Sequence, residues 1–111
     1  MLLFALALAV APTPYNTAFA KATEHRTAGD ALLVKADEAL ADKHLMIACA
    51  TLNQAMIEWQ LASISYLEAG ASPTADGDAD RVDDDRLKAA TDALLADDDQ
   101  AQKIYDENCR D

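Results

Sequence analysis

The sequence predicts an all-α fold: a small helical bundle of two to three helices, built on an antiparallel helical hairpin and closed by one disulfide. Three observations predict it. Residues 42–70 carry apolar side chains at helical spacing over a wide sector. The chain is rich in alanine, the strongest helix former. Cys49 and Cys109 stand where two antiparallel helices of matched length bring them level.

Taken in order, residues 1–20 read as a cleaved secretory signal peptide. An apolar run extends from Leu2 to Ala11, Pro12 and Pro14 interrupt it, and Ala18-Phe19-Ala20 supplies a small-x-small cleavage pattern. The run of about ten residues is too short to span a bilayer as a helix. No Lys or Arg precedes it, which departs from the usual leader. Cleavage after Ala20 leaves a single domain, residues 21–111, in the periplasm or outside the cell, with no stable membrane insertion. That domain keeps only Trp59, Tyr66 and Tyr105 as aromatics. A core of alanine and a few larger aliphatics is thin, and a thin core in a short chain calls for a covalent staple.

Lys21 to Thr27 form a polar lead-in, and residues 28–41 a first helix. Ala28, Leu32, Ala36, Ala39 and Leu40 share one side of it. Asp42 either caps the next helix or lies at a kink between the two.

The central helix, residues 42–70, organises the rest. At about 100° per residue, Leu45, Cys49, Leu52, Met56, Trp59, Ser63 and Tyr66 fall on one face. Met46, Ile57, Ile64 and Leu67 form a second stripe, and together the two cover roughly 200°. That is enough for two neighbours. Thr51, Gln54, Glu58 and Ser65 are expected to face water, with Asn53 and Gln60 at the margin between neighbours. Gly70 and Pro73 close the helix.

Leu32, Ala36, Ala39, Leu45, Ala48, Leu52 and Ala55 resemble the small and large positions of one tetratricopeptide hairpin, a family that binds peptides in a groove of stacked repeats. The resemblance covers about a quarter of the chain. Lys35 stands where that family has an apolar residue and Lys43 where it often has glycine. No second copy follows, and one unit alone cannot bury its face. The segment is therefore read as an ordinary helical hairpin.

Residues 71–84 form an acidic loop. Asp76, Asp78 and Asp80 have the D-x-D-x-D spacing that opens a calcium loop. The full pattern then needs glycine and glutamate where this chain has Arg81 and Leu87. Divalent-metal binding through these three aspartates is thus the alternative reading, not the leading one. Residues 86–109 form the last helix, with Leu87, Ala90, Leu94, Ala101, Ile104 and Tyr105 at helical spacing. Asp97, Asp98 and Asp99 are poor helix formers and predict a bend, with Asp99 capping a final segment. The two arms from the loop to Cys49 and to Cys109 are about 32 and 36 Å long at helical rise. A Cys49–Cys109 disulfide follows, worth roughly 4 kcal/mol by loop closure.

The formal charge of −11 is the wrong sign for nucleic acid or an anionic membrane. No C-x-x-C, nucleophile elbow, P-loop or dinucleotide motif occurs, and His44 lies off the i, i+4 spacing that would pair it with Cys49 for zinc. No catalytic residue and no cofactor is assigned. A small thiol-redox enzyme or hydrolase remains a lesser reading, motivated by the cysteines. The expectation is a non-enzymatic exported module that binds a protein partner or a second copy of itself, with Met46, Ile57, Trp59, Ile64 and Tyr66 as the contacting residues.

Overall fold

The computed structural model describes residues 13–78 and 81–109. Three helices follow in order: α1 (Pro14–Ala41), α2 (Leu45–Ala71) and α3 (Asp84–Cys109). No strand occurs among the described residues, and none of their helices is long and apolar enough to cross a membrane. α2 packs on both other helices and is the axis of the fold.

α1 is longer than expected and starts at Pro14, not at residue 28. Thr13 is extended, and its Oγ1 accepts a hydrogen bond from the Asn16 amide at 3.0 Å. Pro14 follows at the first helical position, where its missing N–H costs nothing. The supposed lead-in is helical because its other face is buried. Tyr15 and Ala18 pack with Ala69 near the end of α2, and Ala22 joins the main core. In this structure Thr13 to Ala20 pack with the rest of the helical unit, and Ala20, the expected cleavage point, lies inside α1. The remainder of the expected leader, residues 1–12, lies outside the described residues.

α1 and α2 are separate helices. Asp42 closes the first and does not cap the second. The Lys43 amide donates to the Leu40 carbonyl and the His44 amide to the Ala39 carbonyl, the paired bonds of a Schellman motif. That motif places Lys43 in the left-handed region at φ 61°, a conformation glycine adopts more cheaply.

α1 and α2 approach closely because their facing residues are small. Ala48, Ala55, Ala62 and Ala69 recur at every seventh position of α2, all fully buried. Ala22, Gly29 and Ala36 recur likewise on α1. Trp59 lies directly over Gly29: a Cβ added there would sit 2.5 Å from the indole Nε1. The indole N–H donates to Asp30 Oδ1 at 3.1 Å. Ser65, expected to face water, is buried, and Glu58 is half-buried, its Oε2 2.6 Å from His25 Nδ1. Both changes follow from the extra turns of α1, which run beside a sector expected to be open.

α3 begins two residues earlier than expected, at Asp84. Asp83 Oδ1 accepts from the Arg86 amide at 2.8 Å, and Asp84 and Asp85 sit in the first turn, where negative charge is favoured. Leu87, Leu94 and Ala101 are its buried positions, again seven apart. α3 runs unbroken through Asp97 to Asp99, and Asp99 does not cap a separate final segment. Packing of Leu94 and Ala101 on either side holds the helix through three residues of low propensity. Cys49 and Cys109 are bonded, with a Cα–Cα distance of 5.8 Å. The hairpin register inferred from arm lengths therefore holds.

Candidate functional site

The open side of α2 is the candidate site. Both α1 and α3 pack against the side that carries Ala48, Leu52, Ala55, Trp59 and Ala62. The opposite side carries Met46, Ala50, Asn53, Ile57, Gln60, Leu61, Ile64 and Leu67, all exposed. Met46 is 88% exposed, Leu67 64%, Ile64 51% and Ile57 48%. Single exposed aliphatics are ordinary, but a contiguous strip along most of a helix is not.

This divides the residues expected to contact a partner. Met46, Ile57 and Ile64 lie on the open strip. Trp59 and Tyr66 do not: they are 1% and 5% exposed and belong to the core. Their position is corrected from surface to interior. The reason is geometric, since Trp59 needs the space above Gly29 and Tyr66 stacks edge-on to Phe19, with ring centroids 5.7 Å apart. Leu61 and Leu67 complete the strip and were absent from the expected set. The signal for Leu61 was its place one turn from Ile57 and Ile64.

The strip has an electrostatic character of its own. α2 contains only two charged residues, Glu58 and Glu68, in a chain of formal charge −11. Glu58 is turned away toward His25. At one edge Gln60 hydrogen-bonds Asp98 of α3, and burial of that carboxyl raises its pKa above the ordinary range despite the bond. Asp98 Oδ1 has no hydrogen-bond partner. At the C-terminal end Leu67 continues into a groove of about 500 Å³ walled by Gly70, Leu87, Lys88 and Asp92.

The aspartate loop is organised by a cation that the chain itself provides. The Arg81 guanidinium donates to the Ser72 carbonyl at 2.9 Å and to the Ala69 carbonyl at 3.3 Å, closing the end of α2. It lies 4.5 Å above the Tyr15 ring and 3.3 Å from Asp78 Oδ2. The Ala75 amide also donates to Asp78 Oδ2. Hydrogen bonds from Thr13 and Ala75, with Arg81 beside it, hold the Asp78 carboxyl below its usual pKa. Asp76 is exposed, and Asp80 lies outside the described residues. Among the described residues no group of three or more His, Cys, Asp or Glu is arranged to hold a metal. Arg81, which breaks the calcium pattern in the sequence, is a joint between α1, the end of α2 and the loop. The Tyr15 hydroxyl accepts from the Val82 amide at 3.0 Å, and Asn16 Nδ2 donates to the Gly77 carbonyl at 2.9 Å, so the start of α1 is keyed to the same loop.

No protein-family description, no curated protein and no solved structure matches this chain.

Proposed function

We propose that this chain is a non-enzymatic, exported helical module that acts by binding protein through the open side of α2. The observation that carries the reading is the exposed strip Met46, Ile57, Leu61, Ile64 and Leu67 on the side of the helix opposite its buried row of alanines. Large aliphatics left exposed along one side of a helix are apolar area available to a partner. The bonded Cys49–Cys109 pair supports an oxidising compartment, where such bonds persist. Burial of Tyr15 supports a functional protein that keeps Thr13 to Ala20 as part of its domain.

The test is a photo-crosslinking amino acid placed at position 57 in cells that make the protein, with the same probe at Leu95 on α3 as a control surface. The reading expects a discrete adduct from position 57 that Leu95 does not give. No adduct from position 57 would overturn it.

A further inference from the structure

The open side of α2 is more regular than a generic apolar patch. Met46, Ala50, Asn53, Ile57, Gln60, Ile64 and Leu67 follow alternating steps of four and three residues, and every one is exposed. That is the seam of a coiled coil, on which a second helix with the same repeat packs along its whole length. Ile57 and Ile64 fall at the positions where β-branched residues favour two strands, and Met46 and Leu67 at the positions that favour unbranched or γ-branched ones.

We infer that a second copy of this chain covers the seam, pairing α2 with α2 in a homodimer. The inference rests on the reading of this strip as an interaction surface and names its occupant. Three further observations point to self-association. The first is area. At the exposures observed, the large side chains of the strip present on the order of 500 Å². Ala50, Asn53 and Gln60 bring it toward the ~800 Å² per partner of a standard interface. The second is shape. The radius of gyration is 17.6 Å, as three helices of 26 to 28 residues laid side by side require. The extents are 56 × 36 × 16 Å, and among the described residues no element covers the open side of the central helix. The third is charge. None of the seam's own residues is ionisable, with Asp98 of α3 only at its edge beside Gln60, while the chain carries −11. A strip selected to attract a basic partner would hold acidic residues. A strip that must meet its own copy has to exclude them, since like charges facing each other across it would repel.

That charge also marks the dimer in solution. Two chains of −11 repel over the rest of their surfaces, and added salt screens this repulsion. Self-association through the seam therefore tightens as salt rises. Binding to a basic protein weakens under the same change.

The experiment is sedimentation equilibrium of the full oxidised chain at low and high salt over about a hundredfold range of concentration, where mass action separates monomer from dimer. The expected result is a monomer–dimer equilibrium that shifts severalfold toward dimer at high salt. The doubly substituted chain Ile57→Asp, Ile64→Asp is expected to stay monomeric, with wild-type helix content by circular dichroism and an intact disulfide by mass. Leu95→Asp, an equally exposed leucine on α3, is expected to dimerise as the wild type does. A wild-type chain that remains monomeric throughout at high salt overturns the inference. So does a dimer that survives both aspartates, which would have to use another face. The crosslink from position 57 separates this failure from failure of the wider reading. An adduct of twice the chain's mass supports both, an adduct of any other mass overturns the homodimer alone, and no adduct overturns both.

Discussion

The two sides of α2 make an instructive pair. The buried side presents Ala48, Ala55, Ala62 and Ala69 in one row, with Leu52, Trp59 and Tyr66 beside it. The open side presents Met46, Ile57, Leu61, Ile64 and Leu67. By hydropathy alone the second side would be the better core. The fold chooses the first because α1 and α2 meet through small residues, which let their axes come close, and one indole fills the space above a glycine. Burial here follows fit before it follows apolarity. The consequence is that interior substitutions are expected to cost stability, and open-side substitutions association.

The largest expected effect comes from beginning the chain at Lys21. This removes Tyr15, Ala18 and Phe19, and with them the Val82 bond and the ring beneath Arg81. A buried aromatic alone is worth about 3–5 kcal/mol on deletion. A small domain has only ~5–15 kcal/mol in total. Thermal melts of chains starting at Thr13 and at Lys21 should therefore differ by a collapse of the second. Equal melting temperatures would return the first turns of α1 to the leader.

Trp59→Ala comes next, at about 3–5 kcal/mol. Ile57→Ala on the open side, measured on the monomer, should change stability by less than ~0.5 kcal/mol. Chemical denaturation of both variants checks the pair, and a costly Ile57→Ala would mean that the open side is not open. Gly29→Val is expected to cost on the order of 3 kcal/mol, because its Cβ meets the indole ring and only a shift of the helix relieves it. Lys43→Gly should have the opposite sign and stabilise by about 0.5–1 kcal/mol, since φ 61° suits glycine.

The smallest effect is at Asp98. Burial raises its pKa, so the folded chain holds this proton more tightly than the unfolded chain does. Its contribution is fully present below the ordinary carboxylate range and is lost as pH rises through that range to the raised value. Asp98→Asn should then raise the melting temperature slightly near neutral pH, with the gain vanishing in acid. A gain that is constant with pH would assign it to helix propensity instead.

Much of the fold was legible along the chain. The length and spacing of residues 42–70 and 86–109 set the hairpin, and equal arm lengths placed Cys49 beside Cys109. The residues after Ala20 misled because Lys21 to Thr27 is polar, and the helix there depends on what its other face covers. Trp59 and Tyr66 misled because an aromatic on an apolar stripe reads the same whether the stripe faces a neighbour or solvent. Gly29 was the available signal, a lone glycine within a helical stretch, but its meaning required knowing that Trp59 lies opposite. His25 and Glu58 gave none, being distant in sequence and each unremarkable where it stands.

By itself, then, the sequence determined that this protein is helical, that its last two helices form a hairpin, and that one disulfide ties them. These follow from periodicity, helix lengths and cysteine spacing, which are properties of the chain read in order. The tertiary structure showed which side of α2 is interior and that Tyr15 and Ala18 of α1 pack against the end of α2. Both depend on shape matching between segments far apart in the chain: alanine on alanine, an indole over a glycine, and an arginine placed between a tyrosine ring and the end of a helix.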